Sequence, residues 1–391
     1  MFEIIGKYGT ANVYATTVDN SCTSQIYNIM NSPVTENVKV AIMPDTHSGK
    51  SVVVGYTQEI KDRLNPSFVG GDIGCGMLVL KVSKDFHMDL PKLDKVIHQK
   101  IPCGMKHCDK LHPFAKNIDI TQLIADADYN KELLSISSLG GGNHFIEVDK
   151  DEEGDYYIVI HSGSRHLGIA VAAYWEKRAN DFHKSLAVKK SELINSKNEK
   201  GLADLPPVVT TYGLSYLMNK DLEDYLHDMK ITQEFARLNR EAMLDVIVTE
   251  MGIKKRYILD KFCTIHNYVD TENRILRKGA ISLQNEEVAI IPISMAYGSL
   301  IVKGKGNPEW NFSGPHGAGR LLSRGDAKNN ISMSDYKKSM EGIYTTCVNS
   351  STIDESPMAY KSPEEILENI KDNADVIKVI KPIYNFKASE K

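Results

Sequence analysis

The chain has 391 residues, of which 42% are hydrophobic and 25% are charged, and its formal net charge is −4. This balance is typical of a soluble globular protein and excludes a disordered or fibrous chain. The longest apolar runs, such as residues 289–293, fall far short of the ~20 residues that a membrane-spanning helix requires, and the N-terminus has no signal-peptide pattern. We therefore expect a cytoplasmic protein without a membrane partner.

The cysteine content and the charge restrict the chemistry further. Six scattered cysteines are too few for a disulfide framework and predict free thiols or metal ligands. Proteins that bind phosphates usually present a basic surface. Because this chain is slightly acidic, we expect any nucleic-acid site to be a local group of cations.

Hydrophobic periodicity predicts both strands and helices. Apolar runs bounded by turn residues predict strands at residues 38–43, 51–56, 77–82, 157–160, 274–281, 288–293 and 299–302. Helix signals predict helices at residues 169–187, 222–250, 321–327, 334–342 and 363–379, with Ser334 as the cap of the fourth. The charged stretch 189–200 is the best candidate for a linker. We favour an exposed excursion over residues 189–205 within one domain that spans residues 1–391.

Asp72 and Cys75 lie three residues apart in the glycine-rich segment GGDIGCGM. Glycines allow a backbone to fold tightly around a bound group. A carboxylate and a thiolate on such a turn can ligate manganese, iron, cobalt or zinc. For this segment alone, a tight turn with a buried cysteine is the alternative.

Three histidines extend this candidate metal site. His144 in LGGGNHFIE and His161 in IHSGSRHLG each lie where a turn meets a strand, and His266 lies in IHNYV. A single histidine at such a place is more often a partly buried structural residue. Together with Asp72 and Cys75, however, the three make five ligands, a number that suits a two-metal cluster.

Arg165 and His316 are the candidates for phosphate chemistry. Arg165 is flanked by hydroxyls, and its forked guanidinium suits a phosphate, although a surface ion pair is the alternative. His316 lies in SGPHGAGRLLSRGDA, where we expect the N–H groups of Gly317, Ala318 and Gly319 to lead into a helix and face a phosphate. An imidazole there can attack a nucleoside triphosphate and form a phosphoramidate. A helix capped by a flexible glycine loop is the alternative.

Two further segments have weaker patterns. Ser294 and Ser299 flank a turn that can hold a purine base, but an ordinary hairpin explains the same residues. The segment CGMKHCDKLH has spacings that resemble a small zinc site but match no standard one, so we expect a surface loop. Its candidate ligands are Cys103, His107, Cys108 and His112.

Taken together, these segments resemble the RtcB family of RNA ligases. The family's motifs occur in the same order from about residue 38 to Lys387, as MPDTHSGK, GDIGCGM, LGGGNHFIE, HSGSRHLG, LNREAM, HNYV, RKGA, HGAGR and DESPMAYK. The resemblance implies a single RtcB-type fold of the α+β class, with mixed and antiparallel sheets around a central metal and nucleotide pocket and with peripheral helices. It also implies GTP and two Mn²⁺ ions.

The resemblance assigns roles to residues that match the motifs. The five ligands would hold the two Mn²⁺ ions, with the Cys75 thiolate shared between them. His316 would be the guanylylated nucleophile, and Arg165 would hold an RNA or leaving-group phosphate. Asp45 and His47 lie in a matching motif, but the sequence assigns them no role. The positions that would surround the guanine nucleotide are Asn143, Glu147, Asn267, Ser294, Ser299, Gly317, Ala318, Gly319 and Lys387.

The implied reaction joins RNA with a 3′-phosphate or 2′,3′-cyclic phosphate end to RNA with a 5′-hydroxyl end, in RNA repair or tRNA splicing. His316 takes GMP from GTP, the 3′-phosphate accepts the GMP, and the 5′-hydroxyl then displaces it. The resemblance also suggests an archease-like protein as an activating partner. We expect a monomer.

Two other functions stay open at this point. One is a metal-dependent enzyme that caps 3′-phosphate ends or opens cyclic phosphates without joining strands. The other is a catalytically silent nucleotide- or RNA-binding relative, although the retention of every ligand type, His316 and Lys387 argues against it. The family's PGSMG turn is PISMA here, and the branched Ile293 disfavours a left-handed backbone. We therefore expect a divergent member with a differently shaped turn.

Overall fold

The fold is described for residues 1–211 and 213–387 of a computed structural model. In chain order, its strands are β1 (Phe2–Ile5), β2 (Thr10–Val13), β3 (Val40–His47), β4 (Val54–Glu59), β5 (Arg63–Leu64), β6 (Gly76–Val82), β7 (Phe145–Lys150), β8 (Tyr156–Ser162), β9 (Leu217–Met218), β10 (Ile258–Ile265), β11 (Asn267–Asp270), β12 (Ile275–Lys278), β13 (Ala280–Ser282), β14 (Val288–Ser294), β15 (Gly298–Gly304), β16 (Ser313–Pro315) and β17 (Ala374–Lys387). Its α-helices are α1 (Asn20–Met30), α2 (Leu90–Lys100), α3 (Tyr129–Leu134), α4 (Arg165–Asn195), α5 (Glu199–Ala203), α6 (Asn219–Met251), α7 (Arg324–Asn330), α8 (Met333–Ser339) and α9 (Pro363–Asn369). None of the helices in these ranges combines the length and the apolar character needed to span a bilayer.

Two large sheets and two small ones organise the strands, which confirms the α+β class. The six-stranded sheet has the order β1-β2-β3-β4-β12-β11, and the seven-stranded sheet has the order β10-β6-β8-β7-β17-β15-β14. Strands β2 and β3 pair in parallel, whereas the other strand pairs in these two sheets are antiparallel. The sheets are therefore mixed and antiparallel, as the family resemblance implied.

The register of the seven-stranded sheet brings several motifs to one of its ends. Gly76 at the start of β6 pairs with Ser162 at the end of β8 and with Ile265 at the end of β10. Phe145 at the start of β7 pairs with His161. Because antiparallel partners run in opposite directions, strand starts and strand ends meet there. The motif residues next to these positions are therefore neighbours in space.

Helices α4 and α6 fill the larger apolar core. Trp175 of α4 and Tyr225 and Phe235 of α6 are buried in one cluster with side chains of the six-stranded sheet. The indole N–H of Trp175 donates to a carboxylate oxygen of Asp228 over 2.8 Å, so the polar atom of this buried side chain is satisfied. The predictions of helices at 169–187 and 222–250 are confirmed, and both helices extend beyond those limits.

The C-terminal third differs from the prediction. The residues predicted as one helix over 363–379 form helix α9 and then strand β17. The strand pairs with both β15 and β7, and these long-range pairings outweigh a helical pattern in a stretch rich in valine and isoleucine. Helix α8 begins after Ser332, whose Oγ accepts from the main-chain nitrogen of Asp335 over 3.1 Å, so the assignment of Ser334 as the cap is wrong.

The excursion expected at residues 189–205 is largely helical. Helix α4 continues to Asn195, and the short α5 follows it. Most side chains in this stretch are exposed, which agrees with its charged sequence. The predicted strand over 274–281 is divided into β12 and β13 at Gly279, which has a φ of 59°.

Candidate active site

Five side chains meet at the end of the seven-stranded sheet. Cys75 Sγ lies 3.4 Å from His144 Nε2 and 3.2 Å from His161 Nε2. Asp72 Oδ2 lies 3.1 Å from His144 Nε2, and His266 Nε2 lies 3.3 Å from His161 Nε2. The contacts form two ligand groups that share Cys75, one completed by Asp72 and His144 and the other by His161 and His266. In each group the ligand atoms lie within 4.8 Å of one another.

These donor atoms fit a pair of cations. His144 Nδ1 lies 2.8 Å from the Leu139 main-chain oxygen, and His161 Nδ1 lies 3.2 Å from the Asn143 main-chain oxygen. Each ring therefore donates from Nδ1 and turns the lone pair of Nε2 toward the cluster. Nε2 lone pairs that converge on a thiol and a carboxylate are an arrangement that a metal ion satisfies. One group combines a thiolate with two imidazole nitrogens, and the other combines the same thiolate with one nitrogen and one carboxylate. Both donor sets suit manganese, iron, cobalt or zinc.

The charge states of the ligands follow from burial and from each other. Burial lowers the pKa of His161 and His266 well below the ordinary value, so both rings stay neutral and able to bind a cation. Burial opposes ionisation of Asp72, but the adjacent His144 lowers the pKa of its carboxyl. Burial, and after it Asp72, raises the pKa of the Cys75 thiol. A bound cation would supply the positive charge that stabilises the thiolate.

Helix α6 supports the turns that carry the ligands. Asn239 accepts a hydrogen bond from the main-chain nitrogen of Ser138 over 3.0 Å and donates one to the main-chain oxygen of Gly163 over 3.1 Å. Arg240 donates from Nη1 to the main-chain oxygen of Gly74 over 2.7 Å. The two residues come from the LNREAM segment and are buried. One helix thus links the segments that precede His144, follow His161 and precede Cys75.

His316 lies beside the second ligand group and is held by Asp45 of β3. Asp45 Oδ2 accepts from His316 Nδ1 over 2.6 Å and from the His316 main-chain nitrogen over 3.0 Å. Because a buried carboxylate binds the Nδ1 proton, the tautomer with a free Nε2 lone pair is favoured. The His316 ring centroid lies 4.9 Å from that of His266. Gly319 has a φ of 76°, and a Cβ there would lie 2.5 Å from the Asp45 main-chain oxygen, so the loop after His316 packs closely on β3.

A cavity of about 210 Å³ opens next to His316. The candidate metal ligands His161 and His266 form part of its wall, and Arg320, Arg324 and Lys387 supply positive charge. The remaining lining residues are His47, Asn143, Phe145, Glu147, Pro292, Ile293, Ser294, Met295, Gly317, Ala318, Gly319, Glu355, Tyr360 and Asn385. A cavity with a histidine, cations and candidate metal ligands in its wall can accommodate a phosphorylated ligand.

Buried carboxylates order the polar side of the cavity. Glu355 accepts from Lys387 Nζ over 2.5 Å at Oε2 and lies 2.6 Å from Arg324 Nη1 at Oε1. Glu147 Oε2 accepts from Asn385 Nδ2 over 2.6 Å. Burial opposes the charge of Glu355, but Lys387 and Arg324 lower the pKa of its carboxyl to about 2. The carboxylate is therefore ionised at neutral pH and keeps the cations in place.

Three residues predicted for ligand contacts lie outside the cavity wall. Asn267 Oδ1 accepts from the main-chain nitrogen of Gly279 over 2.8 Å. Ser299 is fully buried, and no group in the described ranges hydrogen-bonds to its Oγ. Arg165 is the first residue of α4 and has a left-handed φ of 57°, which few residues other than glycine adopt. Its Nε lies 3.2 Å from Ser138 Oγ.

Arg165 nevertheless lies close to the first ligand group. The Arg165 guanidinium and the His144 imidazole both pack against Gly140. A Cβ on Gly140 would lie 2.0 Å from Arg165 Nη1 and 2.6 Å from His144 Nδ1. Arg165 Nη2 also donates to the main-chain oxygen of Gly104 over 2.5 Å. Its guanidinium is therefore fixed beside the candidate metal ligands rather than paired with a surface carboxylate.

Comparison with known proteins agrees with these motifs. A family model described as tRNA-splicing ligase RtcB matches residues 25–126 and 115–388. The chain belongs to the RtcB family. It is 30% identical over 381 residues to an RNA-splicing ligase RtcB of Escherichia coli K12, covering 88% of each chain. It is 26% identical to an RNA-splicing ligase RtcB2 of another Escherichia coli strain, covering 90% of this chain and 87% of the relative. A tRNA-splicing ligase RtcB of Aeropyrum pernix is 24% identical, with 84% and 83% covered.

For this RtcB-family chain, the prediction of a helix start directly after His316 is wrong, whereas the prediction for the CGMKHCDKLH segment holds. The residues after His316 were expected to begin a helix, but α7 begins at Arg324, capped by Ser323, so no helix end points at the cavity from residues 317–319. In the CGMKHCDKLH loop, His107 Nδ1 lies 3.1 Å from the Cys108 main-chain oxygen, and these side chains form no metal-ligand group within the described ranges. Residues 104–112 form neither helix nor strand and most of them are exposed, so the prediction of a surface loop there is confirmed.

Several residues in the cavity wall or in contact with it were not assigned from sequence. Asp45 and His47 lie in MPDTHSGK, but nothing local connected them with His316. His47 Nδ1 lies 3.0 Å from the Asp45 main-chain oxygen, and burial lowers its pKa. Glu355 lies in the matched DESPMAYK segment, which could have marked it. Asn385 lies in a strand that was predicted in part as a helix, so its contact with Glu147 could not be expected.

Proposed function

We propose that this RtcB-family protein is a GTP- and Mn²⁺-dependent RNA ligase that joins a 3′-phosphate or 2′,3′-cyclic phosphate end to a 5′-hydroxyl end. The observation that carries the proposal is the position of His316. Its Nδ1 is bound to the buried Asp45, its ring lies against the metal ligand His266, and it lines the cavity. A histidine with a free Nε2 in such a place is a nucleophile poised for phosphoryl transfer.

The cavity chemistry supports GTP as the substrate that reacts with His316. Arg320, Arg324 and Lys387 offer positive charge for phosphate oxygens. Glu147 offers a carboxylate that can accept the adjacent N–H donors of a guanine base, and Ser294 and Asn143 supply further polar groups to the wall. Asn267 and Ser299 do not reach the cavity wall here, so we propose that they support the nucleotide site through neighbouring residues.

Manganese would be held by the two ligand groups that share Cys75. Asp72, Cys75 and His144 would hold one ion, and Cys75, His161 and His266 the other. When bound, these ions supply positive charge that neutralises phosphate oxygens near His316. The protein's own contribution is to hold neutral imidazoles and a shielded thiol in a preformed arrangement, so little reorganisation is needed when ligand or substrate binds.

We propose three steps for an RNA 3′-phosphate end, whereas a 2′,3′-cyclic phosphate end is first opened by water to a 3′-phosphate. His316 Nε2 attacks the α-phosphorus of GTP, a P–N bond forms, and pyrophosphate leaves. An oxygen of the RNA 3′-phosphate then attacks the same phosphorus, which breaks the P–N bond and returns His316. Finally, the 5′-hydroxyl oxygen attacks the activated RNA phosphorus and GMP leaves with the bridging oxygen. Asp45 would stabilise the positive charge that the His316 ring gains in the first step.

Arg165 would act on the RNA rather than on GTP. It lies outside the cavity wall but beside the His144 ligand group, where its guanidinium can meet a phosphate that approaches the cluster. This location fits a local cationic site in a chain of net charge −4. We further propose that the enzyme works as a cytoplasmic monomer in RNA repair or tRNA splicing, with an archease-like protein as its activator.

The test is an RNA-joining assay with ³²P in the terminal 3′-phosphate of one strand. The proposal predicts that GTP and Mn²⁺ convert the label into a phosphatase-resistant junction with a 5′-hydroxyl strand. His316→Ala should abolish the product. The matched control His107→Ala, which changes an exposed loop histidine, should keep wild-type activity.

Other outcomes of the same assay favour the alternatives. Accumulation of a guanylylated 3′-end without a joined product would indicate an end-capping enzyme. With a strand that ends in a 2′,3′-cyclic phosphate, opening of that phosphate with neither guanylylation nor joining would indicate a hydrolase. RNA binding with no chemical change under several divalent metals would indicate a silent relative.

A further inference from the structure

Asp149 lies directly behind Glu147 on strand β7. Alternate residues of a strand project from the same face, so Phe145, Glu147 and Asp149 point to one side of the sheet. Asp149 is fully buried and lies within hydrogen-bonding reach of the Glu147 carboxylate. Only Glu147 of the two lines the cavity. In this pair Glu147 is open to the cavity, and Asp149 is the carboxyl that is hidden from it.

The hidden carboxyl has no hydrogen-bond donor. Within the described part of the chain, no donor reaches either carboxylate oxygen of Asp149. The nearby donors bind Asp151 instead. The Tyr157 hydroxyl and Lys378 Nζ each donate to Asp151 Oδ2 over 2.9 Å. An ionised Asp149 would therefore be a buried anion without a partner, a state that costs several kcal/mol or more.

Glu147 has the opposite surroundings. It accepts from Asn385 Nδ2 over 2.6 Å, and Lys387 lies near enough to favour its negative charge. Two carboxyl groups in contact cannot both be ionised at low cost, so the pair holds one proton. Burial raises the pKa of Glu147 to about 7 and that of Asp149 well above its ordinary range. Geometry and charge agree that the proton belongs on Asp149.

We propose that Asp149 is a positioning residue whose proton is donated to Glu147 in a hydrogen bond, which fixes Glu147 as an oriented anion for nucleobase recognition. The ligand class is a purine that presents adjacent N–H donors, of which guanine is the example, so this inference rests on the proposed function. Guanine offers N1–H and a 2-amino group to one carboxylate. Hypoxanthine offers only N1–H, and adenine has an acceptor at N1. Discrimination between these bases depends on how firmly Glu147 is held.

The experiment compares Asp149→Asn, Asp149→Leu and the control Asp151→Asn in the full chain. The amide introduced by Asp149→Asn keeps a donor toward Glu147, whereas leucine removes it at similar volume. Binding of GMP and IMP is measured by calorimetry with Mn²⁺ present. We expect Asp149→Leu to lower the preference for GMP over IMP by about tenfold, the effect of one lost hydrogen bond to a charged group. Asp149→Asn and Asp151→Asn should keep the wild-type preference.

A second measurement does not depend on the ligand. In infrared difference spectra at neutral pH, one band of a protonated carboxyl group should be present in the wild type and in Asp151→Asn and missing from both Asp149 variants. Equal loss of GMP and IMP affinity in Asp149→Leu would reduce Asp149 to a structural residue and overturn the proposal. Absence of the infrared band from the wild type would overturn it too. If the wild type binds neither nucleotide but shows the band, the proposed function fails while the shared proton stands.

Discussion

Asp45 Oδ2 lies 2.6 Å from His316 Nδ1 and 3.0 Å from the His316 main-chain nitrogen, although 271 residues separate the two in sequence. One buried oxygen therefore fixes the position of His316, the proposed nucleophile, together with the orientation of its ring and its tautomer. This relationship connects the six-stranded sheet, which carries Asp45, with the cavity beside the seven-stranded sheet. It gives the otherwise unassigned MPDTHSGK segment a function in the proposed mechanism.

Substitution Asp45→Asn should slow the guanylylation of His316 by a factor on the order of 10²–10⁴, because the neutral amide cannot balance the charge that the imidazole gains. The rate of label transfer from α-labelled GTP under single-turnover conditions measures this effect. Bound Mn²⁺ should stay at the wild-type level, since Asp45 belongs to neither ligand group. A variant that reacts at the wild-type rate would show that Asp45 does not act on His316.

Cys75→Ser should remove both metal ions, because Cys75 is shared by the two ligand groups. Asp72→Asn affects one group only and should leave about one ion per chain. Elemental analysis after dialysis against Mn²⁺ distinguishes the two variants, and thermal unfolding shows whether each remains folded. Equal metal content in both variants would contradict a shared thiolate.

Arg165→Ala should separate the steps of the reaction. Since Arg165 lies outside the cavity wall, the rate of formation of the His316 adduct should stay within about twofold of the wild-type rate. The rate of RNA joining should fall by roughly 10- to 100-fold, because one bidentate phosphate contact is lost. Arg165→Lys keeps the charge but not the fork, and should recover only part of the activity. A parallel loss in both steps would place Arg165 at the nucleotide instead. Arg178→Ala, on an exposed part of α4, is the control.

Glu355 makes a pH-dependent contribution to stability. Lys387 and Arg324 outweigh burial and lower the pKa of Glu355 from 4.5 to about 2, so the folded state holds its proton less tightly than the unfolded chain. The resulting stabilisation, on the order of 3 kcal/mol, is complete above pH 4.5 and is lost as the pH falls toward 2. Urea unfolding of wild type and Glu355→Gln should differ at pH 7, and the difference should shrink below pH 4.5. A difference that is constant with pH would refute this origin.

Much of the candidate site could be predicted from sequence because its ligands occur in short segments with strong local character. Asp72 and Cys75 lie on one glycine-rich turn, and His144 and His161 lie where turns meet buried strands. The antiparallel register then brings these ends together, a step that depends on pairing between distant strands. The helix predictions for α4 and α6 succeeded because their apolar pattern extends over many turns.

What the sequence did not reveal depends on long-range contacts. No local pattern connects Asp45 with His316, and the pairing of β17 with two strands outweighed a helix signal over residues 374–379. The glycine-rich segment after His316 resembled a helix start, but the chain continues as a loop to Arg324. The partnership of Glu147 and Asp149 follows from burial, which a single sequence does not report.

The most direct test of the central claim is covalent labelling of His316. Wild type and His316→Ala are incubated with GTP labelled at the α-phosphate and with Mn²⁺, and the denatured proteins are examined for label. We expect label on the wild type alone. This label should be stable to alkali, be lost in acid and map to the peptide that contains His316. Absence of label with every divalent metal, or label of equal intensity on His316→Ala, would contradict it.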